Sequence, residues 1–375
     1  MLHPLPAREI PWGWLGATLA LTGFGVAFVI SATYDPVARY GLGIEATKQL
    51  QWWALSAVAC LVAMHIPFAT YRNLAMPAFL AGITMELLMM AAAGSTLVPR
   101  IKGQANWLVL GPVSIQPTEF IKLTTLLALA RLTTLPGFDV RRLGHAFGAL
   151  AVGALPAALI AIGNDLGSAL TFPPMAFGML IAAGLRLRHI ALAGLLVLLA
   201  ATVLLWHMPK DGYQYKRIQA WLKPDEYALT EGYQTLRSVR SIGSGQIIGK
   251  GWGAGDQNRL GWLPEKHTDL IFAVVGEEVG FLGAGFALTL FLLFAWLGLY
   301  RAGTCRDPCA RHLVVGFVCL IMGQASINLA VAMGLMPVTG VTLPFFSYGG
   351  SSLMACHLGL GMAIAAGVAK REGVG

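Results

Sequence analysis

Ten apolar runs divide the chain, near residues 14–33, 50–66, 74–93, 117–132, 146–162, 168–185, 189–206, 270–299, 312–333 and 349–368. A helix needs roughly 20 apolar residues to cross the hydrocarbon of a bilayer, and the runs are about that long. The pattern predicts an all-α integral membrane protein of ten transmembrane helices, a single polytopic membrane domain over 1–375. One long polar interruption, 207–268, falls between spans seven and eight. The first run exceeds the core of a cleavable signal peptide and further spans follow it, so it reads as a retained first span.

Composition agrees: 56% of the 375 residues are hydrophobic and 12% are charged, against about a quarter charged in a soluble domain. The formal charge of +8 would suit nucleic acid, anionic lipid or membrane topology, and the placement of the cations decides. With the N-terminus in the cytoplasm, inner segments carry twelve Arg and Lys residues and the short outer loops only Arg39, Lys48, Arg100 and Lys102. That is the asymmetry of cytoplasmic loops, so both termini are expected inside, and no nucleic-acid partner is needed. Nine further cations lie in 207–268, a loop too long for the charge rule. Interleaved with Tyr213, Tyr215, Trp221, Tyr227, Tyr233, Trp252 and Trp262, they suit a structured cap at the headgroup level of the membrane lipids. The five cysteines fit neither a disulfide framework nor a zinc site.

For chemistry, SGQIIGKG (244–251) imitates a phosphate-binding loop, but Ser244 replaces its first glycine and Gly251 its metal-binding hydroxyl. Charges in or beside spans are better leads, since an ionisable group in hydrocarbon is costly. Glu119 and Lys122 are three apart on one helical face, fit either for an ion pair that locks helices or for presenting an ammonium to an anion. Asp165 in NDLGSAL reads first as a helix cap. Glu86, Gln324 and Asn328 read as interhelical hydrogen bonding. The segment LPEKHTDLIFAVVGEEVGFLG (263–283) opens the eighth span with Glu265, His267, Asp269, Glu277 and Glu278. A continuous helix from Asp269 to Tyr300 would be about 45 Å long against a core of roughly 30 Å, so it must project, tilt or bend. Asp269 falls at its outer mouth, where it or Thr268 could cap the helix. Ion pairing with the basic cap is the plain reading of Glu277 and Glu278.

The blocks IKGQANWLVLGPVSIQPTEFIK, NDLGSAL, YQTLRSVRSIGSGQIIGKG, LPEKHTDLIFAVVGEEVGFLG and GLMPVTGVTLPFFSYGGSSL resemble, in order, those of the SEDS family (shape, elongation, division and sporulation). The resemblance implies the ten-span SEDS fold and a peptidoglycan glycosyltransferase polymerising lipid II at the outer face of the cytoplasmic membrane. Compact length, a short N-terminal tail and the LPEKHTD wording fit the elongation branch better than the division branch. By the same resemblance Asp269 is the essential aspartate, acting as general base or holding a metal. Glu119, Lys122, Asp165 and Arg217 are substrate-binding, with His267, Thr268 and Ser244 beside them and Gln116, Glu277 and Glu278 in support. A divalent cation, Mg or Mn, and a class B penicillin-binding protein are the implied cofactor and partner, with undecaprenyl-linked glycan as the growing product. Asn106, Thr118, Leu270 and Arg237 depart from the family pattern, and Asn106 removes a cation. A lipid II flippase and a noncatalytic scaffold are the rivals. The ionisable residues cluster toward the outer half, which favours chemistry there over a transport path.

Overall fold

The computed structural model describes residues 6–34, 43–101, 103–111, 113–207 and 212–369, so Arg39, Lys102, Lys210, Lys370 and Arg371 lie outside the described residues. Helices cover all ten apolar runs: α1 (Trp12–Ala32), α2 (Ile44–Met64), α3 (Phe68–Ala91), α4 (Pro117–Leu132), α5 (Leu143–Ile162), α6 (Leu166–Ala169) with α7 (Phe172–Ala182), α8 (Leu187–His207), then α12 (Ile271–Thr304), α13 (Pro308–Ala332) and α14 (Gly350–Val368). Among the described residues, six of these (α1, α3, α5, α12, α13 and α14) are long and apolar enough to cross a membrane. A hairpin, β1 (Leu108–Leu110) paired antiparallel with β2 (Val113–Ile115), leads into α4.

The sixth run is not one helix. It breaks between α6 and α7, where Pro occupies the first turn of α7 and supplies no amide to continue the preceding helix. The long interruption is structured, carrying α9 (Tyr213–Leu222), α10 (Tyr233–Ser244) and α11 (Asp256–Arg259). Its α10 packs on α12 and α13.

The core forms around α14 and α13, of which 78% and 61% of the most apolar window is buried, against 28% for α3 and α5 at the periphery. Trp14, Phe294, Phe317 and Phe345 meet there with neighbouring ring centroids 5.5–6.4 Å apart, an arrangement of aromatic edges and faces that adds to simple burial.

The overlong eighth run resolves its mismatch by breaking. Gly280 has φ 62° and ψ −159°, backbone that essentially only glycine adopts. The nine residues 271–279 form a half-helix, and the remainder of α12 carries the exposed apolar face of Phe281, Leu282, Phe286, Leu292 and Trp296. Gly280→Ala is expected to cost about 1–3 kcal/mol from backbone strain. The added Cβ would also collide with Gly249 N and lie 2.6 Å from Ile247 O. A lowered thermal unfolding midpoint of the detergent-solubilised protein checks this; an unchanged midpoint would show that the break is relaxed.

Candidate active site

Asp269 lies immediately before the N-cap of α12, Leu270, in a turn where Glu265 has φ 47° and its carbonyl accepts from the amides of Thr268 and Leu270 (both 3.2 Å). The turn is held by its main chain. Tyr348 N donates to His267 O (2.8 Å), Ser347 Oγ to Thr268 O (2.6 Å) and Asn328 Nδ2 to Asp269 O (2.8 Å). Asp269 lines a cavity of about 420 Å³ with Arg217, Glu231, Tyr233, Gln234 and Glu265. Arg217, from α9, is steadied by donating to Val338 O (2.9 Å).

Those anchors converge on the segment 333–349. Asn328 also donates to Val341 O (2.7 Å), and a Cβ on Gly340 would lie 3.8 Å from Asp269 Oδ2. At Gly167 a Cβ would collide with Thr339 O, so only glycine lets α6 close on this segment. The Glu119–Lys122 pair is buried, with Lys122 Nζ 2.8 Å from Glu119 Oε1 and 2.8 Å from Gln324 Oε1. Gln324 Nε2 in turn donates to Thr342 O (3.0 Å). Arg217, Asp269, the first turn of α6 and Lys122 are therefore all wired to one loop. Lys122 and Glu119 lock α4 to α13 and line neither cavity described here.

Asp165 caps α6, accepting from Ser168 N (3.0 Å) and Ser168 Oγ (2.8 Å). It also accepts from Asn106 Nδ2 (2.6 Å) and Gln116 Nε2 (3.5 Å). It borders a second cavity of about 170 Å³ that Glu86, Arg100 and Asn106 share. The cation absent at position 106 thus has a neighbour of the same charge in Arg100. Arg237 stacks between Tyr233 and Trp262, 5.0 Å from each ring, a cation–π sandwich that ties α10 to the loop's end.

Other sequence expectations separate from the cavity. Ser244 ends α10 and donates to Ser241 O (2.8 Å). His267 and Thr268 hold the turn through their carbonyls, and the Thr268 hydroxyl donates to Glu265 Oε2 (3.2 Å). The ion-pair expectation holds for Glu277, 2.9 Å from Lys250 Nζ. Glu278 instead accepts from Ser31 Oγ (2.7 Å) and Asn258 Nδ2 (2.9 Å). Both are fully buried, where a carboxylate needs such partners. Glu231, Gln234 and the lining role of Glu265 were missed; the amphipathic stretch opening α10 was the available signal.

Burial lowers the pKa of Lys266, and burial, opposed by Glu265 and Glu45, lowers that of His267 from its ordinary 6.5. The unfolded chain then takes up the His267 proton first as pH falls. Stability is present above pH 6.5 and declines below it toward the folded pKa. Melting His267→Gln and native protein in parallel from pH 7.5 to 5 should give a shallower acid decline for the variant; identical slopes would remove His267 as a contributor.

Among the described residues no three or more His, Cys, Asp or Glu side chains are grouped to hold a metal. The cavity offers carboxylate oxygens from Asp269, Glu231 and Glu265. Carboxylate oxygen is the donor type of hard cations such as Mg or Mn, which are commonly held by one or two carboxylates plus substrate phosphates.

Fold and site define a multi-pass helical membrane protein with a carboxylate and guanidinium cavity lined largely by residues of the structured loop. The chain belongs to the FtsW/RodA/SpoVE family, whose model, described as "Cell cycle protein", matches residues 14–372. It is 36% identical over 349 residues to a protein of Geobacter metallireducens named "Probable peptidoglycan glycosyltransferase FtsW", covering 92% of this chain and 91% of the relative. It is 34% identical over 312 residues to "Peptidoglycan glycosyltransferase MrdB" of Escherichia coli, covering 82% of each. Among solved structures, a chain of a peptidoglycan synthase complex described as coordinating polymerization and crosslinking aligns with TM-score 0.79 and 30% identity, over 95% of this chain and 97% of that one. The crystal structure of Thermus thermophilus RodA aligns with TM-score 0.70 and 28% identity, over 95% and 96%. The SEDS resemblance read from the sequence is borne out.

Proposed function

We propose that this chain is a peptidoglycan glycosyltransferase of the elongation branch, polymerising lipid II at the outer face of the cytoplasmic membrane. The observation that carries the site assignment is that Asp269 and Arg217, 52 positions apart in sequence, line one cavity. In this reading ten helical segments span the bilayer, both termini are cytoplasmic, and 207–268 caps the outer face of one membrane domain. Asp269 removes the proton from the 4-hydroxyl of the acceptor N-acetylglucosamine. That oxygen attacks the anomeric carbon of the lipid-linked donor glycan, the bond to phosphate breaks, and undecaprenyl pyrophosphate leaves with inversion. Arg217 faces the charge that develops on the leaving group. A divalent cation held by Asp269 with Glu231 or Glu265 would supply further charge neutralisation at the pyrophosphate. Lys122, buried against Glu119, acts on the loop rather than on the substrate. The proposed partner is a class B penicillin-binding protein, whose transpeptidase crosslinks the strands; the alignment with a synthase-complex chain supports it.

The test is purified protein in nanodiscs with that partner, lipid II and Mg, with product resolved by gel. Glycan polymer is the expected result. Lipid II translocation without polymer would replace the enzyme by a flippase. Depletion in a rod-shaped host distinguishes the branches: rounding fits elongation, and filamentation would move the chain to the division branch.

A further inference from the structure

The segment SGQIIGKG, which imitates a phosphate loop in sequence, has another job in the fold. A helix break leaves the last carbonyls of one half and the first amides of the next without partners. At Gly280 one stretch of loop fills both sets. The carbonyls of Glu277 and Glu278 accept from the amides of Lys250 (3.1 Å) and Gly251 (2.9 Å). The amides of Phe281 and Leu282 donate to the carbonyls of Gln246 (2.8 Å) and Ile247 (3.1 Å). Residues 246–251 thus cross the break and cap both helix ends. Gly249, at φ 79°, is required by the approach, since a Cβ there would collide with Glu278 O.

Side chains lock the crossing. Lys250 Nζ lies 2.9 Å from Glu277 Oε1, which also accepts from Gln257 N (3.0 Å), and Ser241 Oγ donates to Glu277 Oε2 (3.2 Å). Glu277 is 0% exposed. One carboxylate therefore joins α10, the start of α11 and the strap to the half-helix.

We infer that 246–251 is a strap setting the angle between the two halves of α12, and that Lys250 and Glu277 are a positioning pair for Asp269 at the far end of the half-helix. Nine helical residues span about 13 Å, so a rotation of about 5° at the break displaces that end by about 1 Å. A misplacement of that size can cost on the order of a hundredfold in rate. The kinetic arm of the proposal rests on the glycosyltransferase reading; the structural arm does not.

The experiment compares native protein, Lys250→Met and Lys250→Arg in nanodiscs, by amide hydrogen exchange and by lipid II polymerisation. Gly249→Ala is avoided because it threatens folding itself. In native protein the amides of 250, 251, 281 and 282 exchange slowly. Lys250→Met raises exchange in 246–251 and 269–279 by about tenfold. It lowers kcat by about tenfold or more with KM within about twofold, and Lys250→Arg restores both. Unchanged exchange in Lys250→Met overturns the strap, and raised exchange with unchanged kcat overturns the positioning role. If native protein makes no polymer, the glycosyltransferase reading falls and exchange alone decides the strap.

Discussion

Asp269→Ala should make no detectable glycan from lipid II under conditions where native protein polymerises it. A positioned general base contributes about 10²- to 10⁴-fold, and loss of a metal ligand from the same position would add to that. The fold should survive, because the main chain of the turn keeps its anchors in the variant. Asn328 still donates to the carbonyl of residue 269, Ser347 to that of Thr268 and Tyr348 to that of His267. An unchanged melting midpoint with lost polymer is therefore the expected pair of results. Equal polymer from native and variant would sink the assignment. Asp269→Asn separates the two chemical roles: if excess Mg or Mn restores polymer, Asp269 serves as a ligand, and if none is restored at any metal concentration it serves as the base.

Lys122→Met should have the largest effect on stability. The Lys122 and Glu119 side chains are only 3% and 7% exposed and 2.8 Å apart. Removing one member of a buried pair leaves the other charge without compensation, at a cost of about 3–5 kcal/mol. The variant also frees Gln324, whose amide holds Thr342 O in the loop that borders Asp269. The double variant Glu119→Gln with Lys122→Met should recover much of the loss, since the orphaned carboxylate is gone. Thermal melts of the solubilised protein read both. A Lys122→Met protein that melts like native but has lost activity would return Lys122 to direct substrate contact.

The two residues show how differently a sequence can be read. Asp269 stood out because the SEDS resemblance places the family's essential aspartate there, at the mouth of an apolar run too long for the bilayer. Lys122 stood out because an ammonium in hydrocarbon needs a reason. The ion-pair alternative for Lys122 was legible from its three-residue spacing to Glu119. Its second bond, to Gln324 more than two hundred positions away, was not. Ser244 is a different case: its block resembles the family's, and its hydroxyl donates to Ser241 O at the end of its own helix. Family likeness marks a segment as important without saying whether it touches substrate or backbone.

Glu277 and Glu278 gain most from the structure. In sequence they are adjacent acids in a span, suited to the basic cap above. In three dimensions they face different partners, Lys250 for one and Ser31 with Asn258 for the other, because adjacent helical residues point about 100° apart. The loop that supplies Lys250 and Asn258 explains why acids are tolerated there.

The SEDS resemblance singled out Asp269, whereas the helical membrane class, the positions of the apolar segments and the overlong eighth run were legible in the chain without it. Each of these depends on local composition and length, which a bilayer constrains directly. That the run breaks at Gly280, that 246–251 plugs the break, and that Arg217 and Asp269 share a cavity emerges only in the folded chain. Those outcomes depend on which distant backbone groups satisfy one another at a helix end. No periodicity along the chain records such pairings.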